Sequence, residues 1–180
     1  MRTKCLAVMA IVALLFTGCN SDPQTIKVKN QYSVVLPSFL SEGKNLHDDA
    51  SLQYQNLLKE FYVIVIDEPS NTLDDIINES MPEYTPDVDG YSKLLMGSTA
   101  EALNLPEEPI LSAKKINGMD ARVGGFSGEA EGQKIFWKAA YFKGKKHYYQ
   151  MLCWTQADKQ KDYEPEMDNI INSFKELGVK

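Results

Sequence analysis

The sequence predicts an α+β domain: a three-layer α/β/α sandwich with a central, mostly antiparallel sheet. The predicted elements run as strands, then helices, then strands, then one last helix, an order typical of α+β folds. Residues 61–66 are apolar on both faces, so the strand that they form belongs in the middle of a sheet. The helices are amphipathic and lie both between and after the strands, so they supply a cover for each sheet face.

Four short strands open the domain. Their side chains alternate between apolar and polar, or are apolar throughout, over five or six residues. Pro37 closes the second strand, and Asp67 begins the polar stretch that ends the fourth. The predicted strands are 25–29, 32–36, 51–55 and 61–66.

Two amphipathic helices follow. Ser70 or Thr72 caps the first, and Asp87 caps the second, which stops before Pro106. The apolar stripe of the first helix consists of Leu73, Ile76 and Ile77, and that of the second of Tyr91, Leu94, Leu95, Ser98, Ala102 and Leu103.

The last block holds two strand pairs and a helix. Asn117-Gly118 separates the first pair and is a strong hairpin signal, while Lys143-Gly144-Lys145 separates the second pair. The predicted strands are 110–116, 120–126, 134–142 and 146–154. The final helix carries Met167, Ile170, Ile171, Phe174 and Leu177 on one face and stops at Gly178.

The amino terminus has the pattern of a secretory leader. Arg2 and Lys4 precede an apolar run that ends in Thr17-Gly18-Cys19. The run is shorter than the roughly 20 residues that cross a bilayer as a helix, so we expect it to be removed. Residues 15–19 resemble the lipobox of bacterial lipoproteins, which implies cleavage after residue 18 and acylation of Cys19.

The sequence therefore divides into a lipoprotein signal peptide (1–18), a lipidated tether (19–24) and a single domain (25–180). Residues 19–180 carry 17 basic and 25 acidic residues, a net charge of −8. That balance repels a phosphate polymer, so we expect no nucleic-acid partner. Once Cys5 is removed with the leader and Cys19 is acylated, Cys153 has no thiol left with which to form a disulfide.

Four segments resemble the PsbP-like family, whose superfamily also contains the yeast nuclear-transport Mog proteins. They are Tyr32-Ser-Val-Val-Leu-Pro37, Asp49-Ala-Ser-Leu-Gln-Tyr54, Phe61-Tyr-Val-Ile-Val-Ile-Asp-Glu68 and Ile170-Ile-Asn-Ser-Phe174. The resemblance spans nearly the whole domain and implies an antiparallel sheet between helices. Photosynthetic members help to retain ions at a photosystem, and nuclear-transport members bind a small GTPase. The family pattern has no catalytic residues, so the resemblance implies a binding or accessory module.

Metal ligands are sparse in the sequence, and we expect no metal and no cofactor. The histidines are His47 and His147, and neither forms a close ligand pair with Cys153. Asp87 and Asp89 begin like a calcium loop, but the position that needs a bidentate carboxylate is a serine. We interpret these two acids as a helix cap and a favourable charge at the helix amino terminus.

Catalytic groups are equally sparse. Ser127 lies among glycines, outside any nucleophile elbow, and His147 is the base available for a hydrolase alternative. We interpret the glycines as a flexible, bulged connection between two strands. The neighbouring carboxylates are interpreted as solvated surface; they are Asp48-Asp49, Asp74-Asp75 and Glu107-Glu108.

Two surfaces remain as candidates for binding. One is an aromatic group on the last two long strands, made of Trp137, Tyr141, Tyr148, Tyr149 and Trp154. We expect most of this group in the core under the final helix, and a binding face if one side is left open. The other is a basic turn, Lys143, Lys145 and Lys146, which could touch anionic head groups near the anchor or protect a hairpin end from aggregation.

The sequence thus predicts a lipid-anchored, non-enzymatic binding or accessory protein of the bacterial cell envelope with an envelope protein partner. A small envelope hydrolase and a purely structural lipoprotein are the alternatives. Asn20 replaces the aspartate that retains enterobacterial lipoproteins at the inner membrane, which favours the outer membrane, on its periplasmic side.

Overall fold

The computed structural model describes residues 22–178, so the predicted leader and the predicted acylation site at Cys19 lie outside the described residues. The described part contains three α-helices, a short 3-10 helix (Ala157–Lys159) and ten strands. The helices are α1 (Ser70–Ser80), α2 (Val88–Ala102) and α3 (Gln160–Ser173). The strands are β1 (Gln24–Val28), β2 (Tyr32–Leu36), β3 (Ser41–Glu42), β4 (Ala50–Asn56), β5 (Phe61–Pro69), β6 (Ser112–Ile116), β7 (Met119–Ala130), β8 (Gln133–Lys143), β9 (His147–Gln156) and β10 (Lys175–Glu176).

Seven strands form the central sheet, in the order β3-β4-β5-β9-β8-β7-β6, and every neighbouring pair is antiparallel. The apolar strand β5 lies inside this sheet between β4 and β9, as its two apolar faces predict. The opening strands β1 and β2 pair with β10 in a separate three-stranded sheet.

Each face of the central sheet has its own hydrophobic core. On one face, Phe174 of the α3 end and Tyr32 of β2 pack with Met151 of β9. On the other face, Ile77 of α1 and Tyr91 of α2 pack with sheet residues that include Tyr148. The molecule is therefore an α+β sandwich with helices on both sides of the sheet, which confirms the predicted fold class.

The glycine-rich segment is not the bulged connection that the sequence predicts. It lies inside β7, which pairs with β8 in unbroken register from Asp120 to Ala130. Residues 103–111 cross over this strand and approach Gly124 and Gly128 closely. A Cβ at Gly124 would lie 2.7 Å from the carbonyl oxygen of Ile110, and one at Gly128 would lie 2.9 Å from Leu105 Cδ2.

The last helix ends earlier than predicted, at Ser173. Phe174 turns into the core, and the next two residues join β2 as β10. Asn117, in the predicted turn, donates hydrogen bonds from Nδ2 to the carbonyl oxygens of Asn172 and Phe174, at 3.0 and 2.8 Å. The apolar pattern predicted for the helix therefore extends past Ser173, where residues 175 and 176 pair with β2 instead of continuing the helix.

The two predicted helix caps have different outcomes. Asp87 caps α2, because its Oδ1 accepts hydrogen bonds from the backbone N–H groups of Asp89 and Gly90, both at 2.9 Å. The cap that was predicted for α1 is wrong, since that helix starts directly after Pro69 without a side-chain cap. Within the described residues, we find no helix with the length and apolar character to cross a membrane.

Candidate binding groove

A row of four aromatic side chains crosses the central sheet. Trp154 on β9 lies opposite Tyr62 on β5 and opposite Trp137 on β8, and Trp137 in turn lies opposite Phe126 on β7. Side chains at directly opposed positions share a sheet face. Phe126 and Trp137 belong to the core beneath α1 and α2, so the row lies on that face.

Stacking fixes the orientation of both tryptophan rings. Trp154 stacks on Tyr62 with ring centroids 5.1 Å apart and planes 12° from parallel. Trp137 stacks on Phe126 at 5.6 Å and 16°. Offset pairs at this separation contribute about 0.5–1.5 kcal/mol beyond their buried area. The rings are therefore held in place before any ligand arrives.

Three members of the row, Tyr62, Trp137 and Trp154, line a groove of about 320 Å³, while Phe126 is buried beside it. Tyr62, Trp137 and Trp154 are each half-buried there. Two hairpin turns supply acidic groups to the lining: Glu60 from the β4–β5 turn and Glu131 from the β7–β8 turn. The remaining lining residues are Ala130, Gln133, Ile135, Thr155 and Gln156.

The charge of the groove lining is negative. Its charged residues are Glu60 and Glu131, and no lysine or arginine belongs to the lining. Lys159 lies beside it and donates a hydrogen bond to Glu60, which raises the pKa of the lysine. Gln156 also donates to Glu60, at 2.8 Å. Glu131 is exposed to solvent, so its charge remains available to a ligand.

Three of the predicted aromatic residues are not part of this surface. Tyr141, Tyr148 and Tyr149 are all 0 % exposed, so their assignment to a binding surface is wrong. Burial raises the pKa of each of these three hydroxyl groups. Both faces of β9 are covered in this region, which explains why the adjacent Tyr148 and Tyr149 are both in the core.

Sequence reasoning missed Tyr62, Glu60 and Glu131. The sequence pattern places Tyr62 only in a buried strand. Its pairing with Trp154 depends on which strands are neighbours in space, and the sequence pattern does not contain that information. The available signal for this surface was the pair of tryptophans, Trp137 and Trp154, on two strands that the sequence predicts to be neighbours.

The basic turn is placed at the opposite end of the sheet from the groove. Lys143 is already engaged, because Nζ donates to Asp74 Oδ1 at 3.1 Å and to the carbonyl oxygen of Pro86 at 2.6 Å. Lys145 and Lys146 are exposed. The first described strand begins near the β4–β5 turn, because Gln24 donates to the carbonyl oxygens of Pro37 and Leu40 and Asn56 donates to that of Phe39, so the basic turn and the start of β1 lie at opposite ends of the sheet.

The candidate catalytic pair is not brought together. Ser127 pairs with Phe136 on β8, whereas His147 begins β9 opposite Pro69, at the other end of the sheet. The separation is about eight residue steps along the strands, roughly 25 Å. Burial raises the pKa of the Cys153 thiol. Among residues 22–178, no group of three His, Cys, Asp or Glu side chains is placed to hold a metal ion.

The calcium-like acids are also committed to structure. Asp87 caps α2, and Asp89 accepts hydrogen bonds from Arg122 Nε and Nη2, each at 2.6 Å. This bidentate pair raises the pKa of Arg122 and ties the start of α2 to β7. Asp74 likewise accepts a hydrogen bond from Tyr148 Oη at 2.5 Å. The sequence interpretation of Asp74-Asp75 as solvated surface therefore does not hold for Asp74, which binds a buried side chain.

Comparison with known proteins identifies the fold. No family model and no curated protein sequence matches the chain. Among solved structures, cyanobacterial PsbP (CyanoP) from Synechocystis sp. PCC 6803 aligns with a TM-score of 0.57 and 12 % identity, covering 96 % of this chain and 99 % of that one. A variant of the protein Mog1 aligns with a TM-score of 0.52 and 8 % identity, covering 87 % and 96 %.

A structure from Bacteroides thetaiotaomicron VPI-5482 aligns with a TM-score of 0.50 and 11 % identity, over 81 % of this chain and 45 % of that one. Identities this low show shared architecture and leave activity open. The central antiparallel sheet between helices and the near-complete coverage of CyanoP and Mog1 agree with the resemblance found in the sequence. The chain has the PsbP/Mog-like fold.

Proposed function

We propose that this protein is a lipid-anchored, non-catalytic binding module of the bacterial cell envelope, and that its ligand binds in the aromatic groove. The leader and Cys19 support the anchor and the location, with the outer membrane favoured by Asn20. The PsbP/Mog-like fold is compatible with a binding or accessory role. A partner in the envelope is the source of the ligand in this proposal.

The groove itself carries the proposal. It is a concave surface with two half-buried tryptophans, each held by a stacked neighbour, and with polar groups at its rim. Ligand sites typically combine an aromatic lining with a few placed polar groups. Tyr and Trp also lose little conformational entropy on binding.

We propose further that the ligand carries a cationic group. Aromatic faces attract cations, with a contribution of about 0.5–2 kcal/mol per contact. Glu60 is paired with Lys159, but the exposed carboxylate of Glu131 leaves the groove lining with a negative charge, which also favours a cationic ligand. The cation belongs either to a small amine or to a basic side chain of a partner protein.

Tryptophan fluorescence offers a direct test. The chain has two tryptophans, and both line the groove, so intrinsic emission reports on this site without a label. Choline is titrated against its neutral isostere 3,3-dimethylbutan-1-ol. We expect a saturable emission change with choline alone, and weaker binding in high salt because the attraction is screened. N-acetyl-lysine methylamide, a model of a lysine side chain, is titrated in the same way. Tighter binding of this compound than of choline indicates a basic side chain of a partner protein as the ligand, and the reverse order indicates a small quaternary amine.

Matched variants locate the response. Trp154→Leu should weaken choline binding by roughly 2- to 30-fold, the range that corresponds to loss of one cation–π contact. Lys145→Met, at the distant turn, should leave the binding constant unchanged. Equal responses to choline and the isostere, or no response to either cation, would contradict a cation site and favour a structural lipoprotein.

A further inference from the structure

The turn between β4 and β5 exposes two adjacent leucines. Leu57 is 67 % exposed and Leu58 is 95 % exposed. A single exposed leucine on a protein surface is common, but a neighbouring pair at the tip of a hairpin is an apolar protrusion. The leucines do not contribute to either core of the sandwich.

Hydrogen bonds hold this turn in a defined position. Asn56 Oδ1 accepts from the backbone N–H of Lys59 at 2.9 Å, and Asn56 Nδ2 donates to the carbonyl oxygen of Phe39 at 2.7 Å. The Lys59 ammonium lies 5.2 Å from the centroid of the Phe39 ring. The two leucines are therefore presented outward by an ordered scaffold.

The same scaffold fixes the start of the domain. Gln24 Nε2 donates to the carbonyl oxygens of Leu40 and Pro37, at 2.7 and 3.2 Å. The segment 37–40 thus contacts both the first strand and the β4–β5 turn. From Cys19 to Gln24 the chain is five residues long and spans at most about 18 Å. A lipid on Cys19 therefore keeps this end of the domain close to the bilayer.

We infer that Leu57 and Leu58 form a second contact with the lipid bilayer, in addition to the acyl anchor. The inference rests on the anchored location that is proposed above. An acyl anchor on a short tether leaves the domain free to rotate, and the leucine tip restricts that rotation. Glu60 ends the same turn and lines the groove, so the contact also holds the groove near the membrane surface.

Site-specific fluorescence measures the contact. Leu57→Cys provides one reactive thiol in the acylated protein, because lipid occupies Cys19 and Cys153 is buried. The thiol is labelled with the environment-sensitive dye NBD, and the protein is placed in vesicles of phosphatidylethanolamine and phosphatidylglycerol. We expect blue-shifted emission that doxyl-labelled lipids quench. The matched controls are a label at Lys145→Cys, at the far end of the sheet, and Leu58→Asp combined with the label at residue 57.

A second preparation separates the hairpin contact from the anchor. The mature chain with Cys19→Ser and an amino-terminal hexahistidine tag is held on vesicles that contain nickel-chelating lipid, and the same label is read. Blue shift and quenching at residue 57, lost on Leu58→Asp, support the contact in either preparation. If they occur only on nickel vesicles because the natural protein is absent from membranes, the anchor fails while the hairpin contact stands.

Two results overturn the inference. One is solvent-like emission at residue 57 in both preparations. The other is a blue shift that rises with protein concentration and is not quenched by doxyl lipids, which would show that a second copy of the chain covers the leucines.

Discussion

Asn117 connects two parts of the fold that are 55 or more residues apart in sequence. Its backbone has φ 48°, in the left-handed region that asparagine and glycine tolerate best. Its side chain donates to two carbonyl oxygens at the end of α3. One residue therefore shapes a hairpin and also ends a helix.

Asn117→Ala should lower the free energy of unfolding by about 2–3 kcal/mol, since it removes two hydrogen bonds and strains the turn. Asn117→Gly keeps the turn conformation and removes the same hydrogen bonds, so a loss of about 1–2 kcal/mol is expected. Urea unfolding of the two variants measures both values. A glycine variant less stable than the alanine variant would contradict this division of roles.

The same scale shows what strand alternation can and cannot predict. Alternation correctly separates the two faces of β8 and β9, and it makes Trp137 and Trp154 candidates. It does not reveal that helices cover one half of a face and leave the other half open. Tyr148 is buried for that reason, while Trp154, six residues later on the same face, lines the groove.

At the scale of secondary-structure elements, β7 shows how a neighbouring segment determines sequence. The close approach of residues 103–111 leaves no space for a Cβ at Gly124. In contrast, a Cβ at Gly97, within α2, would have no atom closer than 4 Å. These two glycines therefore make a matched pair.

Gly124→Ala should destabilise the protein by about 1–3 kcal/mol, the usual cost of overpacking. Gly97→Ala should stabilise it by about 1 kcal/mol, because alanine has the higher helix propensity. Thermal and urea unfolding measure the two effects. Equal stability of the two variants would contradict this account, because it would show that residues 103–111 can move away from a Cβ at position 124 without loss of stability.

Element boundaries were predictable only where local chemistry determines them. The Asn117-Gly118 turn and the Asp87 cap depend on residues close in sequence, and both are confirmed. The end of α3 and the full length of β7 depend on pairing with β2 and β8, which are distant in sequence. Sequence periodicity does not show which strands will pair, so the predicted helix runs past the observed end of α3 and the predicted strand stops short of the observed end of β7.

At the scale of the whole molecule, the sandwich has two different ends. One end carries the start of β1, the leucine turn and the groove. The other carries the basic turn and the Asn117 turn, where Lys145 N–H donates to Glu176 at 2.9 Å. The sequence predicted the layers correctly, but the distribution of features between the ends follows from topology. It therefore became visible only in three dimensions.

The proposed anchor at Cys19 would determine which of these ends faces the bilayer, and intact-mass spectrometry of the protein extracted from bacterial membranes tests the proposal. We predict a mature chain that begins at residue 19 and carries the added mass of a diacylglyceryl group and an amide-linked acyl chain. We also predict that Cys19→Ser abolishes this product and releases the protein from the membrane fraction. A mature chain that begins elsewhere, or that carries no lipid while still fractionating with membranes, would contradict the lipid-anchored binding module.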